Sequence, residues 1–507
     1  MRSFLVPYSV IIVERRSHNL LKLETGNWKR ATNIQMNIAI TCPQCGAEVE
    51  LAEEDTVFKC LYCGSILKPT GRNRVQSFFI SPKETAHKVD IALLRALKVN
   101  SSKDLHIVER YLLYAPYWRV NGMLFQWVFG RKYFKSPGGQ KTWENFKKLR
   151  AAPWFRTFPG FDSSKWGLFS LGLRAQVLKV MLFNKQKMGK DPLLIKQTVS
   201  FKEAVYHAQN FIIRQRSSGP TEVEMLNSEL IGEHYSLLYF PFYCYVLTNN
   251  GQKSSLIVDA LSHKVIKGNL DIDELKKNSS GDTIPYKPLN FIPFKCPNCG
   301  WDFPFTPHAL IHVCKTCGRA WQEKGGNYVP VPYKISLKDK SIPTQWKYLA
   351  FWRLTGIIKS QDRDYKTLKE FYELFPLPRV LDEETIKKRN ISFYIPAIRI
   401  KNVRIVDKFS AQLTHSQPQF SEREIDTIGD LDLSDVWLPL KEAKEMAHIL
   451  LFSMTKKGHK KTKNVVKAAQ IHFTNARLLW IPFMEKGIYL RESHTDFALQ
   501  KNALDIT

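Results

Sequence analysis

The sequence predicts an α+β protein: two small cysteine-bearing units, plus repeated units of one helix followed by an antiparallel β-meander. Three observations carry this reading. Two C-x-x-C pairs with fourteen residues between them occur twice along the chain. A short apolar-aromatic run appears five times, four times around a central proline. A helical signature precedes three of those runs at a similar distance.

At 507 residues the chain is too long for one compact core, so two or more domains are expected. Its 44% hydrophobic and 12% aromatic content fit a folded chain. The longest apolar run, around Leu237–Val246, falls far short of the ~20 residues that span a bilayer, so no transmembrane segment is expected. Residues 1–35 include "FLVPYSVIIVERR", whose flanks and lack of a small-residue cleavage site make a poor signal peptide. Met36 directly precedes the organised sequence. Translation from Met36 and an ordinary strand following Met1 both remain open.

Nine cysteines in a chain of this length do not form a disulfide scaffold. Eight lie in C-x-x-C pairs, which gives the ligand sets Cys42, Cys45, Cys60, Cys63 and Cys296, Cys299, Cys314, Cys317. A glycine follows each pair (Gly46, Gly64, Gly300, Gly318), where the chain must reverse tightly for both sulfurs to meet one ion. Four thiolates in tetrahedral array suit Zn2+, two ions per chain. Cys244, alone within "YFPFYCYVL", reads as a buried free thiol. Unpaired thiols imply a reducing, cytoplasmic compartment.

In motif and spacing the two segments resemble zinc ribbons of the transcription-factor and rubredoxin-like group. The resemblance covers about fifty residues, is specific for metal, and says little about function. It implies structural zinc, with rubredoxin-like iron as the competitor. Charge argues against direct reading of nucleic acid. Residues 41–68 carry five acids against Lys59 and Lys68, a net −3, and residues 296–319 carry a net +1. Neither offers the cations that displace phosphate counterions. The ribbons are expected to be structural or to dock protein.

The five runs are "LLYAPYWRV", "LLYFPFYCYV", "KYLAFWRL", "FYIPAIRI" and "LLWIPFM", with prolines at Pro116, Pro241, Pro396 and Pro482. Aromatic and branched residues at this density predict core strands, and proline predicts a bulge or edge position in each. Arg119, Arg353 and Arg399 follow at matching offsets and are expected on an exposed or edge face. Helix signatures containing Lys83, Lys202 and Lys441 lie 33, 39 and 41 residues before Pro116, Pro241 and Pro482. Ser81-x-x-Glu84 and Ser200-x-x-Glu203 read as capping boxes, while Pro439 replaces the serine in the third. Val89 and Leu93, and separately Ala204 and Ala208, share one helical face. The "NNG" at 249–251 predicts a hairpin.

The expected division is an N-terminal extension (1–35), a first ribbon (36–70), and an α+β repeat domain (71–289) with a basic aromatic insertion (131–190). A second ribbon (290–334) and a second α+β repeat domain (335–507) complete it, giving two related halves that meet near residue 290.

Catalytic signatures are missing: there is no H-E-x-x-H, no G-x-S-x-G and no G-x-G-x-x-G after a strand, so a non-enzyme is expected. "SPGGQKT" at 136–142 reads as an exposed turn. The formal charge of +28 calls for an acidic partner. Residues 131–190 hold fourteen lysines and arginines against Glu144 and Asp162, with aromatics interleaved. One reading is a helical insertion whose rings pack on the sheet while its charges are solvated. A second is single-stranded nucleic acid, with Lys147, Lys148 and Arg150 on phosphates and Trp143, Trp154 or Trp166 stacking on bases. A third is peripheral contact with an anionic membrane. The leading expectation is a two-ribbon zinc scaffold or adaptor with a protein partner, and the alternative is nucleic-acid binding by 131–190.

Overall fold

The computed structural model describes residues 37–504 apart from 53–54, 71–74, 83–85, 97–104, 136–140, 170–178, 214–220, 250, 269–270, 280–289, 338–345, 377–382, 424–427 and 429–430. The extension 1–35, Lys83, Glu84 of the first capping box, most of the "SPGGQKT" turn and the junction near 280–289 lie outside the described residues.

The fold is α+β, organised by two large sheets. In the N-terminal half the elements are β1 (Gln76–Phe79), α1 (Ala86–Ala96), β2 (Leu105–Lys135), β3 (Lys141–Pro159), α2 (Phe201–Ile213), β4 (Thr221–Asn249) and β5 (Gln252–Asp259). In the C-terminal half they are β6 (Tyr333–Leu337), β7 (Lys347–Lys359), β8 (Ile391–Pro396), α3 (Val403–Ser416), α4 (Leu440–Met454), α5 (Lys460–Ala468), β9 (Gln470–Lys486) and β10 (Tyr489–Glu492).

Each sheet is built on one long strand. β4 runs antiparallel to β2 on one edge and pairs on the other with β1, in parallel, and then with β5. β9 does the same with β7, β6 and β10. The registers coincide: Trp118 faces Leu237 and Trp352 faces Leu478, while Tyr114 faces Pro241 and Tyr348 faces Pro482. On the outer edges, Tyr117 faces Pro159 of β3 and Phe351 faces Pro396 of β8.

These registers correct the expectation that all four prolines are equivalent. Pro241 and Pro482 correspond, but Pro116 corresponds to Ala350, and Pro396 to Pro159. The five runs look alike because any buried central strand draws on the same aromatic and branched residues. Their prolines mark local edges rather than bulges. Pro241 falls between the stretch of β4 paired to β1, ending at Tyr239, and the stretch paired to β5, beginning at Phe242. Pro482 falls in the same gap between Trp480 and Phe483. At Pro116 the missing N–H breaks no ladder bond; at Ala350 that N–H goes instead to Ser434 Oγ, 2.9 Å away.

The helices that lead into the long strands also correspond. Ser200 and Glu203 close a capping box on α2, with Glu203 N–H donating to Ser200 Oγ and Ser200 N–H to Glu203 Oε2. Pro439 caps α4 without a side-chain bond. Trp118 Nε1 donates to the Val199 carbonyl at 2.9 Å, and Trp352 Nε1 to the Leu438 carbonyl at 2.8 Å. Each acceptor stands one residue before its helix N-cap. Both indoles are buried, where an unpartnered N–H would cost about 1–3 kcal/mol. α1 lacks this relation: Val89 and Leu93 bury instead against Tyr245 and Val258.

The arginine expectation fails at Arg119, which is buried, donates to Ser236 Oγ at 3.3 Å and lies over the Phe155 ring. Arg353 pairs with Glu422, and Arg399 lies over Trp437. The "NNG" hairpin forms as expected, with Gly251 at φ 79°. Cys244 is buried, and burial pushes its thiol up to about 12.

Among the described residues, two joints connect the halves. At the cysteine units, Ile66–Thr70 pairs antiparallel with Asn290–Pro293, and Thr56 N–H and Oγ1 donate to Pro307 and Ala309 carbonyls. At the far ends of β2, β3 and β4, Trp127, Phe129, Leu149 and Met225 join the core of the second sheet.

Candidate metal centres

Each C-x-x-C-G turn folds in the same way. Gly46, Gly64, Gly300 and Gly318 take φ between 67° and 78°, which a β-carbon would disfavour. Their N–H groups donate at 2.9 Å to the carbonyls of Cys42, Cys60, Cys296 and Cys314. The first cysteine of each turn in turn donates to the residue beyond the glycine, at 2.8–2.9 Å. The backbone is thereby closed twice, and both sulfurs face inward.

All four sulfurs of each set lie within 4.8 Å of one another. Nearest separations are 3.9 Å for Cys42–Cys63, 3.7 Å for Cys45–Cys60, 3.6 Å for Cys296–Cys317 and 3.5 Å for Cys299–Cys314. Four sulfurs about 2.3 Å from a tetrahedrally held ion stand about 3.8 Å apart, so the geometry fits one metal per set. Among the described residues these are the groups of three or more His, Cys, Asp or Glu that suit an ion.

The electrostatics favour thiolate at one corner of each set. Ser65, through its hydroxyl and N–H, brings the Cys63 thiol down to about 6. Burial raises Cys317, yet the Arg319 N–H together with hydrogen bonds from Cys296, Cys314 and Asn298 outweighs it and holds the thiol at about 7. A thiolate is the form that binds metal.

Among the described residues, no histidine joins either set. His308 pairs with Asp55 at 3.2 Å and packs on Trp437. His312, buried beside Phe294 and Phe303, lies 2.6 Å from the Lys68 ammonium, which is itself buried. Burial, then the Lys68 charge, hold His312 well below the ordinary value, so its neutral ring accepts from lysine. Lys68 belongs to the first unit and His312 to the second. Sequence reading missed this pair, and no local signal marks it: the partners are 244 residues apart.

The segment 131–190 is not a helical insertion at its start. Residues 141–159 form β3, paired along β2 without a register shift and holding the place that β8 holds in the other half. Strand alternation puts Lys147 and Trp143 on one face and Lys148, Arg150 and Trp154 on the other. Lys147 is drawn inward: Nζ donates to the carbonyls of Ser453 at 2.7 Å and Thr455 at 2.9 Å, and lies over the Trp127 ring. Lys148 is half-buried and Arg150 exposed. Trp154 and Trp166 are 6% and 4% exposed, whereas Trp143 is 54% exposed. Trp143 is the one ring of the three that is more than half exposed.

No protein-family model, no curated protein and no solved structure matches the chain. No helix of the described residues is long and apolar enough to cross a membrane.

Proposed function

We propose that the protein is a cytoplasmic, non-enzymatic scaffold or adaptor in which two structural zinc ribbons clamp two related α+β halves together and leave their outer surfaces for a protein partner. The observation that carries this reading is the pairing of the two cysteine units. They share a strand ladder, the Thr56 bonds and a core of Val57, Phe294, Phe303 and Trp321. A metal in each set would therefore hold not one loop but the junction of the halves. The matching registers and the matching indole–carbonyl bonds support descent of the halves from one repeated unit.

The segment boundaries expected at 36–70, 71–289, 290–334 and 335–507 remain the working division, with contacts running across them. Nucleic-acid binding by 131–190 is the second reading, favoured by the exposure of Trp143 beside the basic hairpin. One assay separates the two. Retention on single- and double-stranded nucleic acid that falls steeply with salt marks phosphate contact. The scaffold reading expects no such retention at physiological salt.

A further inference from the structure

Where the far ends of β2 and β3 meet α3, α4 and α5, the surface opens into a cleft of about 370 Å³. That volume is in the range of small-molecule sites, and sites of this kind collect where two halves of a chain meet. Its walls divide in character. Trp127, Leu374, Phe375 and Met454 form an apolar side. Lys147, Lys408 and Lys456 also line the cleft, against a single acid, Asp407.

The two outer lysines are exposed, and among the described residues neither Lys408 nor Lys456 makes an ion pair. Cations held around a concave space without an acidic partner repel one another unless an anion joins them. A third wall is the first turn of α5, through His459 and Thr462. That turn contains no acid, and its N-cap residue, His459, makes no side-chain bond, so its N–H groups add positive potential on the same side.

We propose that this cleft binds a small phosphomonoester with an apolar or aromatic body, its phosphate between Lys408, Lys456 and the first turn of α5 and its body against Trp127 and Phe375. A dianion matches the lining lysines, and a flat apolar body matches the ring-lined wall. Lys147 sits deeper, already committed to the Ser453 and Thr455 carbonyls, and contributes field rather than a direct bond. The inference is independent of the metal centres.

The test uses the full-length, metal-loaded protein with naphthyl phosphate as the probe, and inorganic phosphate and naphthol as controls, followed by tryptophan fluorescence and calorimetry. Naphthyl phosphate is expected to bind saturably and at least about tenfold more tightly than either control, with affinity falling as salt rises. Lys408→Gln together with Lys456→Gln, both surface changes, is expected to weaken it at least about tenfold while leaving the melting temperature unchanged. No saturable binding of naphthyl phosphate, equal binding of naphthol or of inorganic phosphate, or full affinity in the double variant would each overturn the assignment. Should the double variant lose stability, Lys456→Gln alone carries the comparison with the same expected direction.

Discussion

Lys147 donates its ammonium to the carbonyl of Ser453 at 2.7 Å, joining a strand of the first sheet to the C-terminal turn of a helix on the second. A second bond reaches Thr455, so one lysine serves two carbonyls that end α4. A cation there also meets the negative end of the helix dipole. Burial holds this lysine below the usual value, which is the cost of drawing it inward. Lys147→Met keeps the stem and removes the donors. It should destabilise the protein by about 1–3 kcal/mol, read by urea unfolding. An unchanged midpoint would mean that water serves those carbonyls equally well.

Beside that bond, Asp407 is buried, accepts from the Ser453 hydroxyl and has its carboxyl raised to about 6 by burial. An unfolded aspartate titrates near 3.9, so between the two values the folded state binds more protons. The resulting stability is present below about 4 and is lost as pH rises through about 6. Asp407→Asn should remove this dependence and gain up to about 3 kcal/mol relative to the native chain at pH 8. Denaturant midpoints from pH 4 to 8 give the comparison; parallel profiles would show that Asp407 does not titrate in this range.

The corresponding indoles offer a test of the two halves as copies. Trp118→Phe and Trp352→Phe each remove one N–H donor and leave one helix-entry carbonyl unserved. Their costs should agree within about 1 kcal/mol, each at about 1–3 kcal/mol. A large cost at one site and none at the other would speak for resemblance without equivalent construction.

For nucleic acid, the strand faces decide which variant is informative. Lys148→Gln with Arg150→Gln and Trp143→Ala leaves the Lys147 bonds intact and strips the accessible cations and ring. If the basic hairpin binds single strands, this variant should lose about 1–3 kcal/mol for the ring alone and show a shallower salt slope. On the scaffold reading it behaves as the native chain does in gel-shift titration.

The cysteine ligand sets were fully legible in sequence, because spacing and glycine placement encode a local turn. So was the Ser200–Glu203 cap, another local device. The four prolines were legible as strand residues but not as three different positions, since the register that distinguishes Pro116 from Pro241 depends on which strands lie alongside. A helical insertion is one of the readings open for 131–190 in sequence, yet pairing with β2 sets residues 141–159 as strand. In sequence Lys147 reads as a phosphate contact or as a solvated charge of a basic run, in either case as a group facing outward. Its partners are more than 300 residues away, and nothing near it in sequence announces them.

The coupling of the cysteine units predicts how they fail. Cys42→Ser and Cys296→Ser should each loosen the unit they belong to first, because structural metal supplies much of the folding free energy of so small a unit. Through the shared ladder between Ile66–Thr70 and Asn290–Pro293, each should also raise hydrogen exchange in the neighbouring unit. Protection unchanged in the neighbour would separate the two centres.

Metal content of the purified full-length protein tests the central claim most directly. Elemental analysis by mass spectrometry, with protein quantified by amino-acid analysis, should give close to two zinc ions per chain, one for each of the two four-cysteine sets. A value near one, or iron in place of zinc, would contradict the account of paired zinc ribbons.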